Sequence, residues 1–509
     1  MKGLATRVSA IPRAIDSYHS RTAITWFLFL FIALVVFPTG VIDGNETHYF
    51  MLADLFWSTQ SEFSILNEKS AHFTPFAMFT AFFIDVLGYE IANAVLRVFC
   101  AALLAIGLSQ LFIQWKLSAL DALIIVASFL LFDQQFFGNE WIIRGFEGKV
   151  VAYAFVFFGM ANALAGRWIV FVASMVIATY FHFLVGGFWT LVALIWLVTI
   201  ERTKAPAIRA FISYSLAIAP LITLILVHRI GTSSIVEGMD TFQIYSDRVA
   251  HHIAPFNSMN ELKQWMPGVV ALFACTLALV TIMPMAKICQ QIKLLFFTVL
   301  GLQIYLLIVF VASASDAFVK MFGVFYVFRP SSLTLLLLIT LVILIYKKST
   351  SYRTPLWSTF SILLPISICI ALESKVVEVK HYLQYKGEVN ELVDAVSSIT
   401  DNDEIVLIQP GRDGMMPESR LTRLIPRPLL VNYKFVPTEP SKLFDWHQRI
   451  QFREAVFSEG CNVTYPVGAL IFRNETKPTD DVIASCGKVV FQSENYSVVE
   501  IRENASFID

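Results

Sequence analysis

Apolar runs of near-spanning length recur along this chain, and they constrain its fold more than any other feature. They lie at about Thr22–Ile42, Ile91–Phe112, Ala119–Phe132, Val150–Ala165, Trp168–Tyr180, Leu184–Ile200, Ala210–Val227, Val269–Met285, Leu294–Val311, Ser332–Tyr346 and Trp357–Leu372. A helix needs ~20 apolar residues to cross a bilayer. With 56% hydrophobic residues, 15% charged and 45 Phe, the chain lies far from the composition of a soluble globular protein. The sequence therefore predicts a mainly α, polytopic membrane protein whose bundle holds about eleven transmembrane helices. Lys2, Arg7, Arg13 and Arg21 precede the first run, and no small-residue cleavage site follows a short apolar core, so the N-terminus reads as an uncleaved anchor.

One further run, Phe73–Leu87, decides the topology. If it crosses, every later basic loop is inverted. If it lies along the membrane surface, Lys116, Arg167, Arg202 with Lys204 and Arg209, Lys287 with Lys293, and Lys347 with Lys348 and Arg353 all fall on the side of the N-terminus. The second arrangement obeys the positive-inside rule throughout and is preferred. It predicts a cytoplasmic N-terminus in a cell inner membrane. The outer loops are then 43–90, 133–149, 228–267 and 313–330, followed by an extracytoplasmic C-terminal domain. In the first of these loops Tyr49, Leu52, Ala53 and Phe56 recur at the spacing of a helix lying in the membrane interface.

The division falls at about residue 372, with a membrane domain over 1–372 and an outer α/β domain over 373–509. In the latter, Glu404–Ile408, Leu429–Val431, Ala469–Phe472, Lys488–Phe491 and Ser497–Ile501 read as strands and Ser441–Val456 as a helix. Of the six Cys, Cys100, Cys275, Cys289 and Cys369 lie in or beside apolar runs. Cys461 and Cys486 lie in the polar region, where an oxidising compartment permits a disulfide that the sequence alone leaves open.

Nearly all chemically distinctive residues fall in the outer loops. Val41–Tyr49 ends an apolar run with two acids, Asp43 and Glu46, then His48 and Tyr49, with His72 further on. A carboxylate there serves either as a general base or as a marker of the membrane boundary, and Asp43 or Asn45 can also cap the following helix. The second loop holds Glu140, Arg144, Glu147 and Lys149 within one short stretch. These either bind a phosphate or pair with one another, as Glu140 and Arg144 would at helical spacing. His182 stands near the end of its span, as a functional group or a bonded structural one. Arg248, His251 and His252 follow in the third loop; adjacent residues on a helix point apart, which argues against a shared metal. Arg329 precedes Pro330 at a helix start, and a cation beside a helix N-terminus makes it the best phosphate ligand, with a salt bridge to Asp316 or to a first-loop acid as the alternative. No Walker A loop, dinucleotide fingerprint, H-E-x-x-H or G-x-S-x-G motif is present, so nucleotide-driven chemistry is not expected.

The order of these features resembles the GT-C superfamily of membrane glycosyltransferases. One span leads to an outer loop with an acidic motif (N-E-T-H-Y), a surface helix (H-F-T-P-F-A-M-F-T-A-F-F-I-D-V-L-G) and a span with an Arg near its start (Arg97). Relatives of the aminoarabinose and protein mannosyl transferases carry Asp-Glu followed by Tyr in that loop; here Glu46 matches the Glu, and Asn45 stands in place of the Asp. The stretches R-G-F-E-G-K-V-V-A-Y, F-H-F-L-V-G-G, R-V-A-H-H-I-A-P and V-F-R-P-S-S are similar to a group of bacterial membrane proteins with GT-C-like architecture. The resemblance implies a polyprenyl-phosphate-sugar donor as substrate and a lipid, glycan or protein acceptor. It implies Glu46 or Asp43 as base, with basic residues of the later loops on the donor phosphate.

The resulting expectation is sugar transfer at the outer membrane face. Arg329, Arg248, His251, His252, Lys149 and Arg144 are the candidate phosphate ligands, and Tyr49, His72, Glu147 and His182 complete the pocket. No cofactor and no nucleic-acid partner is expected, and a divalent cation is left open. Two other classes remain: a transporter or flippase of a lipid-linked saccharide, and a non-catalytic assembly subunit with the same fold.

Overall fold

The computed structural model describes residues 21–37, 44–54, 56–57, 64, 74–200, 204–230, 241–282, 290–348, scattered positions over 366–383, and 386–410, 419–425, 427–431, 436–437, 440–461, 464–476, 483 and 485–501. The protein is mainly helical with a small sheet. Two compact units are present, one from Met1–Pro38, Asn93–Leu224 and Val249–Lys375, the other from Thr39–Ala92, Ile225–Arg248 and Val376–Asp509.

The helices of the N-terminal two thirds are α1 Arg21–Val36, α2 Gly44–Asp54, α3 Thr74–Leu87, α4 Tyr89–Gln114, α5 Ala119–Leu131, α6 Gly148–Leu164, α7 Trp168–Phe181, α8 Phe183–Ile200 and α9 Ala205–Ile230. They continue with α10 Thr241–Arg248, α11 Ala250–Ile253, α12 Met259–Ile282, α13 Gln290–Ala312, α14 Asp316–Phe322 and α15 Ser331–Lys348. Among the described residues five helices are long and apolar enough to cross a membrane: α4, α8, α9, α12 and α13. α1, α3, α5, α6, α7 and α15 are apolar but shorter. The chain is therefore a multi-pass membrane protein. Most of the run at Trp357–Leu372 lies outside the described residues.

In the first unit, apolar helices are tied by a few polar contacts, as expected where the hydrophobic effect does not sort helix from lipid. Thr25 donates to Ser109 (2.8 Å) between α1 and α4, Thr179 meets Tyr214 (2.8 Å) between α7 and α9, and the Trp196 indole donates to Thr298 (2.7 Å) between α8 and α13. Arg97, 4% exposed, reaches back to the carbonyl of Val36 at 3.5 Å, a cation on the C-terminal end of α1. At the other ends of the bundle, Ser118 and Asp121 form a capping box on α5, and Lys347 of α15 pairs with Asp121 at 2.5 Å.

In the second unit α2 packs on α3 and is largely buried. Tyr49 sets its ring edge-on to Phe76 at 5.8 Å, and Phe50 packs against Tyr89 at 5.3 Å. Glu46, Thr47, His48, Phe50, Met51 and Ala53 are buried, so α2 is packed over much of its surface, while Tyr49, Leu52 and Phe56 of the expected interfacial face are half-buried. The C-terminal part contains β1 Ile405–Ile408, α16 Ser419–Leu424, α17 Pro440–Glu459, β2 Val467–Arg473, β3 Gly487–Gln492 and β4 Tyr496–Ile501. The sheet order is β1-β2-β4-β3, parallel between β1 and β2 and antiparallel elsewhere. Side chains alternate across it. Ile405, Leu407, Leu470 and Val499 face a core with Val456 and Phe457 of α17, whereas Val406, Ile408, Ile471 and Val498 face Val389, Leu392 and Val396 of the helix over 386–399. The expected strand at Leu429–Val431 is a correction: these residues are buried but pair with no strand, and the carbonyl of Leu430 accepts from Arg449 at 3.2 Å instead.

Cys461 and Cys486 are disulfide-bonded and join the end of α17 to the start of β3 across 25 residues. Closing a loop of this length restricts the unfolded chain, so the Cys461→Ser, Cys486→Ser double variant is expected to lose about 3 kcal/mol from this unit, read as a lower unfolding midpoint unaffected by reductant. Burial acts to raise the carboxyl of Glu388. Hydrogen bonds from Ser493 Oγ and from the Asn495 side chain and backbone N–H, both Asn495 bonds at 2.8 Å, together outweigh it and hold the group below the usual glutamate value. A depressed folded-state value gives a stability contribution that is present above the ordinary glutamate pKa and lost as pH falls through the folded one. Glu388→Gln is expected to flatten the acid limb of the stability profile, and an unchanged acid limb would contradict this account.

Candidate functional site

The segment between α5 and α6, residues 132–147, carries turns and bends but no helix. Backbone that leaves a helix among apolar neighbours needs other partners for its polar groups, and here the sequence supplies them. The Gln134 carboxamide accepts from the N–H groups of Ile142 (3.0 Å) and Ile143 (2.7 Å) and donates to the carbonyl of Ile143 (2.9 Å), closing the segment into a loop. Ser331, at the start of α15, accepts from the N–H groups of Phe136 (3.0 Å) and Phe137 (3.1 Å), while Ser332 donates to the Gln134 carbonyl (2.6 Å). His252 of α11 meets the Gly138 carbonyl at 2.7 Å. Gly268 of α12 lets the Phe136 carbonyl approach so closely that an added Cβ would lie 1.7 Å from it. Asp133, Gln134, Gly138 and Asn139 all have positive φ, between 53° and 87°. A cluster of such residues persists only where the surroundings over-determine it.

This frame holds Glu140. Its backbone N–H donates to the Gln135 side chain at 2.5 Å, and its carboxylate, in a residue 2% exposed, lies between two cations. Arg329 Nε is 3.1 Å from Glu140 Oε1, and Lys149 Nζ is 3.5 Å from Oε2. Lys149 also lies 3.8 Å from the buried Glu147 and 3.3 Å from the centroid of the Trp141 ring, whose indole Arg144 approaches at 4.4 Å. Of the two readings open for this loop, pairing of Glu140 with Arg144 at helical spacing does not occur, because residues 140–144 are not helical and Glu140 pairs with Arg329 and Lys149. The ion pair of Arg329 is likewise to Glu140 rather than to Asp316.

His182 occupies the break between α7 and α8 in extended backbone, with φ −155° and ψ 100°, and its Nε2 accepts from Arg329 Nη1. Arg329 also stacks 4.7 Å over the ring of Tyr326, itself held at φ 48° and 5.5 Å from the His252 ring. Arg329 lines a cavity of about 210 Å³ with Phe183, Phe188, Trp189, Tyr305, Phe325 and Tyr326. An aromatic wall with a guanidinium set into it accepts an anionic group carried on an apolar body.

The first unit thus brings together Glu147, Lys149, His182, His252 and Arg329 from the expected set, with the exposed Arg144 against Trp141 and the His251 ring tilted against His252 at 4.1 Å. Arg248 belongs to the second unit, where it pairs with Glu454 (3.7 Å) beside Trp446. Burial, with the adjacent Arg248 charge, holds His447 there below the usual histidine value against the opposing pull of Glu454. Glu46, fully buried in the first turn of α2, and Tyr49 lie in the second unit as well. Asp43 and His72 fall outside the described residues. Glu140 was not singled out as a ligand or catalyst by sequence; its Arg329 partner is far along the chain, and only the crowding of charges in one short loop marked it. Among the described residues no group of three or more His, Cys, Asp or Glu side chains is arranged to hold a metal ion.

Removing the clamp on this loop has a defined cost. Ser331→Ala takes the acceptor from two N–H groups in a buried setting and is expected to cost about 1–3 kcal/mol, seen as a lower unfolding midpoint of the solubilised protein. Gly268→Ala is expected to cost more, because the neighbour it meets is backbone. Comparison with protein-family models, curated proteins and solved structures found no match for this chain.

Proposed function

We propose that the protein is a GT-C-type glycosyltransferase that moves a sugar from a polyprenyl-phosphate donor to an acceptor at the outer face of the membrane. On this reading the chain crosses the membrane about eleven times, with a cytoplasmic N-terminus and an extracytoplasmic C-terminal domain. The Cys461–Cys486 disulfide supports that side assignment, since such bonds persist in oxidising compartments. The observation that carries the reading is the aromatic cavity among apolar helices with Arg329 in its wall. An isoprenoid phosphate has the matching chemistry, a hydrocarbon body ending in an anion. The cavity, at about 210 Å³, is smaller than the ~300–1,000 Å³ of drug-sized sites, which suits a phosphate with its adjoining apolar unit better than a nucleotide sugar.

In the reaction, an acceptor hydroxyl attacks the anomeric carbon with inversion. The carbon–oxygen bond to the donor phosphate breaks, the phosphate leaves with the bonding electrons, and the acceptor proton passes to a carboxylate. Glu46 or Asp43 supplies that carboxylate. Arg329, joined by Lys149, His251, His252, Arg144 or Arg248, stabilises the leaving phosphate electrostatically. Because phosphate is already a stable anion, no strong general acid is needed.

The test is product formation in cells and in reconstituted membranes. Arg329→Ala and Glu46→Gln are each expected to lower glycolipid or glycan product by about 100-fold or more, the scale of a lost acid–base or electrostatic group. Full product formation by Arg329→Ala would remove the cavity from the mechanism. Full product formation by both Glu46→Gln and Asp43→Asn would remove the acidic loop.

A further inference from the structure

We infer that Glu140 is a positioning residue for the anion site, fixing the Arg329 guanidinium so that it is presented to the cavity. This inference rests on reading the cavity as the seat of a lipid phosphate. Neither Glu140 nor His182 lines the cavity, yet both engage the Arg329 guanidinium, Glu140 through an ion pair to Nε at 3.1 Å that lacks hydrogen-bond geometry and His182 through a hydrogen bond from Nη1. The charge that meets the ligand is therefore gripped by groups outside the ligand's own contacts. An arginine on a long flexible stem loses less freedom on binding when its fork is already oriented.

The second argument is energetic. A buried carboxylate between two cations contributes little net stability, because desolvation offsets much of the attraction. Even so, the loop that holds Glu140 uses four positive-φ residues, two glutamine side chains, two serines and a glycine at van der Waals contact to fix one carboxylate. Those bonds satisfy the backbone of the loop, and they leave the Glu140 carboxylate a single place to stand. From that place it orients Arg329, which arises from a different part of the chain.

The experiment uses the full-length protein in detergent with farnesyl phosphate as probe, and with farnesol and inorganic phosphate as controls. Binding is followed through the change in intrinsic fluorescence, lost in Trp189→Phe, since Trp189 lines the cavity. Glu140→Gln is expected to weaken farnesyl phosphate binding by about tenfold or more, on the scale of losing an outer orienting partner, and to leave the weak binding of farnesol unchanged. Arg329→Ala is expected to remove the preference for farnesyl phosphate over farnesol. The double variant is expected to match Arg329→Ala alone, because Glu140 acts only through that side chain; a merely structural carboxylate would add its own loss. Glu140→Asp keeps the charge and serves if the Gln variant does not fold, with an intermediate affinity expected. Wild-type protein that binds farnesyl phosphate no better than farnesol would overturn this inference together with the cavity reading. Selective wild-type binding with unchanged or tighter binding by Glu140→Gln or Glu140→Asp would overturn the positioning role alone.

Discussion

A stretch of backbone that leaves the helix among apolar neighbours must find partners for its N–H and C=O groups, since neither lipid nor hydrocarbon side chains supply them. The segment 132–147 is where that requirement is felt most. Gln134 serves as an internal template, doing with one carboxamide what a neighbouring strand does elsewhere. Ser331 and Ser332 extend the start of α15 into the loop, and His252 ties it to α11. Once these bonds are made, little choice remains for where Glu140 stands, and its position in turn settles Arg329, Lys149 and His182.

The same constraint explains why the charges pair as they do. Sequence spacing allowed Glu140 to pair with Arg144, a pairing that needs a helix. The glutamines and the positive-φ residues prevent one, so Arg144 turns to the face of Trp141, and Glu140 takes cations from the start of α6 and the approach to α15. A lone buried carboxylate would be strongly unfavourable, and a lone buried Arg equally so. Each makes the other tolerable, and the aromatic rings of Tyr326 and Trp141 take up the remaining cation faces.

What could be read in the sequence follows the range of the forces involved. Apolar runs are local, and their ends fall within a few residues of α4 to α8 and α13. The strands β1 and β4 were also legible, as short runs rich in β-branched residues, and burial on both faces runs unbroken along β1 and over the first four residues of β4. Leu429–Val431 has the same composition but no strand beside it, and composition cannot report a missing neighbour. Arg329 stood out because it precedes a proline at a helix start. Its carboxylate partner did not, since no local rule relates the second loop to the fourth. The disulfide was legible as an opportunity, and the packing of α17 against the sheet makes it real.

Three carboxylates illustrate how differently one sequence solves the same problem. Glu388 is held by hydroxyl and amide donors of the β3–β4 turn, so its charge is neutralised by dipoles and its effect stays within that turn. Glu46 lies in the first turn of α2, where the positive end of the helix dipole favours an anion. Glu140 is balanced by full positive charges, and one of them lines a cavity. Dipoles fixed in the backbone cannot be redirected toward a ligand, whereas a guanidinium shares its donors between the carboxylate behind it and an anion in front. With Arg and Lys as its partners, Glu140 connects the packing of its loop to the wall of the cavity through Arg329.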